Sequence, residues 1–267
     1  LDNRKGELNL HWEQAAKILC NRHYGIGADG LIIIETSKVA DFRMNYFNAD
    51  GSYGGMCGNG GRCSALFVLQ GSSNNTTTFD ALDYIYSAKK ADSNISLSMK
   101  DPKDLSLNRF IQINQTEIKI NFVNTGSPHV VVYSTALPDF FQEDIEQNGI
   151  AGLGSSIRNH QLFAPDGTNV NFVHVISGNA ISMRTYERGV EGETLACGTG
   201  AVASALVTNA LHRLPSPIEV HTRSNEILLV SFIKRDNGYS TIELTGSANV
   251  VFHGIVKLDS HHYRICT

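Results

Sequence analysis

The chain has 267 residues, of which 42% are hydrophobic and 18% charged, so it is long and apolar enough for one large core or for two domains of average size. Lysine and arginine together number 22 against 26 acidic residues, and the resulting net charge of −4 attracts no polyanion. Nucleic acid is therefore excluded as an expected partner. The longest apolar runs fall far short of the roughly 18 residues that a membrane-spanning helix needs, so no membrane association is expected.

The opening residues and the cysteine content indicate a cellular compartment. The first letters, LDNRKGEL, lack the apolar stretch of a secretory signal, which predicts a soluble, cytoplasmic protein. Five cysteines are an odd number in a chain too large to need disulfide staples. In a reducing cytoplasm each cysteine is either a small buried apolar residue or a reactive thiol, and its neighbours decide which.

The hydrophobic pattern predicts a few helices and many short strands. Apolar residues at helical spacing indicate an amphipathic helix at 11–23 and a glycine-interrupted helix at 144–159. The polar stretch 71–78 is predicted to be a loop, and Asn237-Gly238 a hairpin turn. Runs rich in strand-forming residues predict strands at 31–35, 42–48, 83–88, 95–99, 110–113, 117–123, 130–134, 169–176 and 180–187.

Two blocks of the sequence are unusually rich in glycine. They lie at 50–61 and 189–200, and the first contains six glycines. Each block comes before an apolar stretch that predicts a buried helix, at 62–70 and at 201–212. The order of strands, glycine-rich turn, helix and strands therefore occurs twice along the chain.

The two blocks also match letter by letter. Residues 57–66 read CGNGGRCSAL and residues 197–206 read CGTGAVASAL, so six of ten positions agree at an offset of 140. Tyr46 and Tyr186 match at the same offset. Because both blocks follow a strand and precede a helix, duplication of one unit explains the pattern better than coincidence.

The repeated cysteines, Cys57 and Cys197, are each followed by Gly-X-Gly and an apolar helix, which predicts that they lie at helix N-termini. There the unbonded N–H groups and the helix dipole favour an anion, so the pKa of each thiol is expected to fall toward neutrality. The glycines let a carboxylate approach the backbone amides beside the sulfur. Two such sites facing each other would hold one carboxylate between two sulfurs.

This arrangement predicts proton transfer at the carbon next to the carboxylate. A thiolate can remove a proton from one face while a thiol returns one to the opposite face, which inverts the stereocentre. Two helix N-termini stabilise the charge that accumulates on the carboxylate, so no electron-sink cofactor is required. A single Cys-Gly at a helix start is more often structural, and it is the repetition that favours catalysis. The other cysteines are interpreted as packing residues: Cys20, Cys63 and Cys266.

Five ordered segments of the sequence resemble the diaminopimelate epimerase family over almost the whole chain. FNADGSYGGMCGNGGRC at 47–63 and YERGVEGETLACGTGA at 186–201 resemble its two signature blocks. GIGADGL at 25–31, NTGSPHVVV at 124–132 and GTNVNFV at 167–173 resemble three further segments in the right order. The GxGxxG within GIGADGL follows a helix and opens a strand, so it is not interpreted as a dinucleotide site.

The resemblance implies a cofactor-independent isomerase that interconverts LL-2,6-diaminopimelate and meso-diaminopimelate, on the route to lysine and cell-wall precursors. It implies that Cys57 and Cys197 are the two acid/base thiols. Its expected partner is a small amino-acid substrate. A homodimer is compatible with the resemblance, but the sequence does not fix the oligomeric state.

The resemblance also implies two groups of substrate-holding residues and one supporting residue. The first group offers backbone amides to the carboxylate at the reacting centre: Gly58, Asn59, Gly198 and Thr199. The second group would grip the distal, non-reacting end: Asn48, Asn169, Glu187 and Arg188. An arginine can bind a carboxylate through two hydrogen bonds, and a glutamate with asparagines can receive an ammonium. His129 is assigned a supporting role, and no metal site is expected because no CxxC or HxxxH spacing occurs.

Many short strands with one buried helix per half predict an α+β fold with two similar domains. The resemblance adds that the domains are pseudo-symmetric, each a mainly antiparallel barrel-like sheet around a central helix, with the active site in the interdomain cleft. It places the first domain at 1–103 plus 247–267 and the second at 104–246.

Three departures from the family pattern affect individual contacts but not the thiol pair. Family members usually open with a segment that contributes an asparagine, and Leu1 lies beyond it, so we expect the sequence to be incomplete there. Ser127 stands where many relatives have asparagine. Gly30 stands where some have a side-chain donor.

Three alternative functions are compatible with the residues. A proline or hydroxyproline racemase of the same superfamily would carry a different pattern after the first cysteine. A thiol hydrolase would need one essential cysteine, with His129 or His160 as its base. A degenerate binding protein would keep the substrate site without turnover.

Overall fold

The computed structural model describes residues 1–259 and 264–265, and the chain divides into two compact units. The first unit comprises Leu1–Leu97 and Ser247–Thr267, and the second comprises Ser98–Gly246. Cys266 lies outside the described residues. The division into halves that the family resemblance implies stays a prediction.

The described residues contain five α-helices, two short 3-10 helices and sixteen strands. The α-helices are α1 (Trp12–Leu19), α2 (Gly58–Leu69), α3 (Asp139–Asn148), α4 (Ala151–Arg158) and α5 (Gly198–His212). The 3-10 helices span Ser134–Ala136 and Gln161–Phe163. The strands are β1 (Gly30–Glu35), β2 (Phe42–Asn48), β3 (Thr76–Ala81), β4 (Tyr84–Ala91), β5 (Asn94–Ser98), β6 (Lys103–Ile113), β7 (Thr116–Asn124), β8 (Pro128–Tyr133), β9 (Asn169–Ser177), β10 (Ala180–Glu187), β11 (Gly192–Thr194), β12 (Ile218–His221), β13 (Ile227–Arg235), β14 (Gly238–Ser247), β15 (Leu258–Asp259) and β16 (Arg264–Ile265).

The first unit is built on the strand order β1-β2-β3-β4-β5, in which the pairs are antiparallel except for the parallel pair β2-β3. Helix α2 packs against this sheet. The contact is close because Gly61 has no side chain: a Cβ there would lie 3.0 Å from a Leu97 methyl and 3.2 Å from the Phe79 ring. Small residues on the helix thus let its backbone approach the sheet.

The second unit is built on the strand order β14-β13-β12-β10-β9-β8-β7-β6, with β11 added to β10. The pairs are antiparallel except for β8-β9 and β10-β12. Helix α5 is buried from Gly200 to Asn209, as expected for a helix that is apolar on all sides. Helices α3 and α4 contribute Phe141, Leu153 and Ile157 to a separate apolar cluster with residues of the sheet.

The same order of elements occurs in both units. The series α1-β1-β2-α2-β3-β4-β5 in the first unit corresponds to α4-β9-β10-α5-β12-β13-β14 in the second. In each unit the strand that follows the helix pairs in parallel with the second strand of the shared series, β3 with β2 and β12 with β10. This correspondence agrees with duplication of one unit. The second unit adds β6, β7, β8, α3 and β11 to the shared series.

The α+β fold class, with a mainly antiparallel sheet and a central helix in each unit, is confirmed. The strand predicted at 42–48 matches β2, and the hairpin of β9 and β10 is also confirmed. The glycine-interrupted helix is two helices, α3 and α4, because Gly149 adopts a φ of +81° between them.

Some sequence predictions are wrong in their details. The stretch 71–78 is not all loop, because Thr76–Thr78 belong to β3 and pair with β4. Threonine is β-branched and favours strands, and the carboxylate of Asp41 accepts hydrogen bonds from Thr77 Oγ1 at 3.2 Å and from the Thr78 amide at 2.7 Å. Helix α1 ends at Leu19, and the side chain of Asn21 then accepts two backbone amides in the following turn.

The two buried helices begin earlier than their apolar pattern predicts. Helix α2 begins at Gly58 and α5 at Gly198, immediately after a cysteine in the N-cap position. Hydrophobic periodicity does not detect these glycine-rich first turns. Cys20 is buried as predicted, and burial raises its pKa. Cys63 is exposed, so its interpretation as a packing residue is wrong: the face of α2 that carries Ala65 and Leu69 is the buried one.

Candidate functional site

Cys57 caps the N-terminus of α2 in the first unit. Its backbone is extended, with φ −120° and ψ 123°, and its Sγ accepts a hydrogen bond from the Gly60 amide at 3.4 Å. The residue is half-buried. Its sulfur therefore lies against the first-turn amides, where the helix dipole favours negative charge.

A buried arginine holds the side chain that follows Cys57-Gly58. Asn59 Oδ1 accepts a hydrogen bond from Arg62 Nη2 at 3.2 Å, and Arg62 Nε donates to the Ser247 carbonyl at 3.2 Å. Arg62 is only 2% exposed, so a permanent positive charge lies within this helix start. Arg62 was not predicted from the sequence, although a charged residue inside an otherwise apolar helix pattern is a detectable signal.

Asn48 ends β2, ahead of the loop that leads to Cys57. Its Nδ2 donates to Ser52 Oγ at 3.0 Å, and the Ser52 amide donates to Asp50 at 2.8 Å. The Tyr46 ring packs on the backbone of Gly30 and Gly54, where a Cβ would lie 2.3 Å and 2.4 Å from ring atoms. This packing therefore requires glycine at position 30.

Cys197 caps the N-terminus of α5 in the second unit and is 7% exposed. Its Sγ lies 3.6 Å from the Thr199 hydroxyl oxygen. The first turn has no space for another side chain, because a Cβ on Gly200 would lie 2.4 Å from Asn171 Oδ1 and 3.3 Å from the sulfur. The first turn of α5 therefore requires glycine at position 200.

His129 is buried beside this helix start. Its Nε2 lies 2.9 Å from Thr199 Oγ1 and 3.0 Å from Ser127 Oγ, and its Nδ1 lies 3.1 Å from Asn171 Nδ2. Burial, with a smaller contribution from the charge of Arg188, lowers the pKa of His129 to about 3. The imidazole is therefore neutral at physiological pH.

The neighbours of His129 also determine its tautomer. Asn171 Oδ1 accepts a hydrogen bond from Thr185 Oγ1 at 3.0 Å, so the amide nitrogen of Asn171 is the atom that faces the imidazole. An amide nitrogen only donates, so His129 Nδ1 is the acceptor and Nε2 carries the proton. That proton points to the Thr199 and Ser127 hydroxyls.

The predicted distal-end residues of the second unit meet at the ends of β9 and β10. Asn169 Oδ1 accepts a hydrogen bond from the Arg188 amide at 2.9 Å, and its Nδ2 donates to the Pro128 carbonyl at 3.0 Å and lies 3.5 Å from Ser127 Oγ. Glu187 is the last residue of β10, and burial raises its pKa. Ser127 thus connects Asn169 with His129.

Contacts at hydrogen-bonding distance in the second unit link Cys197, Thr199, His129, Ser127, Asn169 and the Arg188 amide, and Glu187, the last residue of β10, precedes Arg188. In the first unit, Gly58 and Asn59 lie at the start of α2, whereas Asn48 ends β2. Asn171 and Thr185 were not predicted from the sequence. Asn171 had a signal, because it lies two residues after Asn169 and hence on the same face of a strand. No sequence pattern marks Thr185, because only the register of β9 and β10 places it opposite Asn171. His160 lies elsewhere, where its Nδ1 accepts the Leu162 amide at 3.2 Å.

Neither a metal-binding cluster nor a membrane-spanning helix occurs among residues 1–259 and 264–265. No group of three or more His, Cys, Asp or Glu side chains is arranged to hold a metal ion. None of the helices there has both the length and the apolar character needed to cross a membrane.

Comparison with known proteins identifies the family. The profile of the family described as "Diaminopimelate epimerase" matches residues 1–84 and 121–251, which include both helix starts. A diaminopimelate epimerase from Chlorobaculum tepidum is 41% identical over 263 residues, which are 97% of this chain and 96% of that protein. A diaminopimelate epimerase from Aquifex aeolicus is 38% identical over 253 residues, covering 93% of this chain and 87% of the relative.

A solved structure supports the fold. A hydroxyproline epimerase from Agrobacterium vitis, with bound trans-4-hydroxy-L-proline, matches with a TM-score of 0.63 and 16% identity over 89% of this chain and 80% of that one. At this identity the likeness concerns the fold alone. The family profile and the two relatives, by contrast, lead to one conclusion: this chain belongs to the diaminopimelate epimerase family.

Proposed function

We propose that this chain interconverts LL-2,6-diaminopimelate and meso-diaminopimelate without a cofactor, by proton transfer between Cys57, Cys197 and one α-carbon of the substrate. The observation that carries the proposal is that each cysteine caps the N-terminus of a buried, glycine-started helix in a member of this family. The relatives from Chlorobaculum tepidum and Aquifex aeolicus are named diaminopimelate epimerases. The activity is that of an isomerase.

The reaction needs one thiolate and one thiol. The thiolate accepts the α-proton, and the electron pair of the C–H bond delocalises into the adjacent carboxylate. The thiol then donates its proton to the opposite face of the planar carbon, so no net proton is consumed and the configuration inverts. The amides of Gly58, Asn59, Gly198 and Thr199 are suited to the carboxylate, because first-turn N–H groups lack intrahelical acceptors.

The hydroxyl of Thr199 supports the sulfur of Cys197 in this proposal. Because His129 Nε2–H can donate to Thr199 Oγ1 at 2.9 Å, the Thr199 hydroxyl proton is available for Cys197 Sγ at 3.6 Å. A hydrogen bond to the sulfur favours its anionic form. The neutral imidazole acts here as a hydrogen-bond donor rather than as a general base.

The distal amino-acid end is assigned to the other predicted residues. Arg188, whose amide is fixed by Asn169, supplies the cation for a carboxylate. Glu187 supplies the partner for an ammonium, and a bound cation would offset the burial that raises the pKa of this carboxyl. Asn48, at the end of β2, takes the position that Arg188 holds 140 residues later, and we assign it to the same end of the substrate.

The experiment that tests the proposal is turnover of LL-diaminopimelate in deuterated water. We expect meso product with deuterium at one α-carbon, measured by chiral chromatography and mass spectrometry. Hydrolysis would leave that position unlabelled, and a binding protein would give heat of binding without exchange. L-Proline and trans-4-hydroxy-L-proline serve as comparison substrates, and faster exchange with either would overturn the assigned substrate.

The cellular setting is part of the proposal. We place the enzyme in the cytoplasm, on the route to lysine and cell-wall precursors, as the family resemblance implies. Light scattering coupled to size-exclusion chromatography tests the homodimer that the resemblance allows.

A further inference from the structure

Arg158, the last residue of α4, makes an ion pair beside the turn that carries Arg188. Its Nε lies 3.0 Å and 3.1 Å from the two carboxylate oxygens of Glu191, and its Nη2 lies 2.9 Å from Oε1. Its Nη1 donates to the Asp166 carbonyl at 3.2 Å. The Arg158 side chain is 16% exposed, and these contacts engage its three nitrogens. All three guanidinium nitrogens of Arg158 thus make contacts within the second unit.

Glu191 closes the turn after β10. Its carboxylate also accepts the Gly189 amide at 3.0 Å, and its own amide donates to the Glu187 carbonyl at 2.9 Å. The Gly189 amide and then the Arg158 guanidinium lower the pKa of Glu191, so this carboxylate is charged. A fixed negative charge therefore lies three residues after Arg188.

The Asp166 carbonyl connects the two arginines. It accepts from Arg158 Nη1 and lies 3.5 Å from Arg188 Nη1. The loop around it wraps Arg158 closely, because Gly167 has a φ of +72° and a Cβ there would lie 1.8 Å from Arg158 Nη1. The Arg158 guanidinium thus fixes two features next to Arg188: the turn that contains Glu191, and the Asp166 carbonyl that lies near the Arg188 side chain.

We propose that Arg158 is a positioning residue that keeps Glu191 paired, so that Arg188 stays available for the distal carboxylate of the substrate. This inference rests on the proposed function. Arg158 and Glu191 pair with each other, so the Glu191 carboxylate is engaged by Arg158 rather than by Arg188. Without Arg158, the Glu191 carboxylate would compete with the substrate for Arg188.

The test compares Arg158→Gln, Glu191→Gln and the double variant with wild type. We expect Arg158→Gln to raise KM for LL-diaminopimelate about tenfold with kcat nearly unchanged, because charge-assisted binding at the distal end weakens. Glu191→Gln keeps an oxygen for the Gly189 amide and should change KM little. The double variant should recover most of the wild-type KM, because the competing charge is gone.

A purely structural role of Arg158 predicts a different result, in which the double variant is at least as impaired as Arg158→Gln, and that result would overturn the inference.

Exchange of the α-hydrogen of L-lysine, which lacks the distal carboxylate, should be equal in wild type and Arg158→Gln. Arg4→Gln, which breaks an arginine–carboxylate pair with Asp2 in the first unit, is the matched control. Inactive wild-type protein would overturn the proposed function and this inference together, whereas active wild type with an unchanged KM in Arg158→Gln overturns the inference alone.

Discussion

The starts of α2 and α5 share the sequence Cys-Gly-X-Gly, but the side chain at X, Asn59 or Thr199, has a different hydrogen-bond partner in each. In the first unit, Asn59 accepts a hydrogen bond from Arg62, which carries a permanent charge. In the second unit, Thr199 lies 2.9 Å from the Nε2 atom of His129, which is neutral. The helix start and its cysteine are thus the same in both units, while the buried groups that support each start differ. The two cysteines therefore have different electrostatic surroundings.

The largest expected effect comes from removing either sulfur. If the proposed two-base reaction is right, Cys57→Ala and Cys197→Ala should each lower kcat for LL-diaminopimelate by about 10²–10⁴-fold, the usual contribution of a positioned acid or base. The measurement is turnover of each purified variant, with circular dichroism as the control for folding. Substantial inversion by either single variant would contradict two-base chemistry.

The glycines at equivalent positions of the two helix starts should respond differently to an added methyl group. In Gly200→Ala the new Cβ would meet Asn171 Oδ1 at 2.4 Å, an atom held by Thr185, and we expect a loss of about 3 kcal/mol in unfolding free energy. In Gly60→Ala the nearest atom is a flexible Ile32 methyl at 3.0 Å, and alanine favours the helix by about 1 kcal/mol. Urea unfolding of both variants measures the difference, and equal losses would refute it.

The neutral state of His129 predicts how stability depends on pH. Its native pKa of about 3 is below the unfolded value of 6.5, so the unfolded chain binds the extra proton between these values. The free energy of unfolding is therefore not reduced by His129 above pH 6.5, and it decreases as the pH falls from 6.5 toward 3. Relative to His129→Gln, wild type should lose about 2 kcal/mol between pH 7 and pH 5. The carboxylates are common to both proteins, so parallel pH profiles would show that His129 titrates normally.

The smallest effect is expected from the hydroxyl next to Cys197. Thr199→Val removes the group between His129 Nε2 and the sulfur with little change in shape, and should lower kcat about tenfold if that hydroxyl stabilises the thiolate. Thr199→Ser retains the hydroxyl and should stay close to wild type. Steady-state kinetics with LL-diaminopimelate separates the two, and equal activity of the valine and serine variants would remove the hydroxyl from the mechanism.

Much of the fold followed from local patterns. Strand β2 has the predicted limits: Phe42 and Met44 are buried on one face by side-chain alternation, and Phe47 is buried on the opposite face in the cluster with α1. The Cys-Gly-X-Gly letters indicated both helix starts, although the apolar periodicity itself began later. The strand at Thr76–Thr78 was not predicted, because the hydroxyls of Thr77 and Thr78 find their partner on Asp41, 36 and 37 residues earlier in the chain.

Letters and periodicity alone were sufficient for the α+β class, the two matching helix starts, the cysteines that cap them and the family resemblance. The groups that surround those cysteines follow only from the three-dimensional fold: His129 meets Thr199 across 70 residues, and Arg62 meets the Ser247 carbonyl across 185. The physical reason is the distance along the chain over which each kind of interaction acts. Helix and strand patterns reflect interactions between near neighbours in the chain, whereas hydrogen-bond partners of buried polar groups depend on strand register and packing, which a shift of one residue would change.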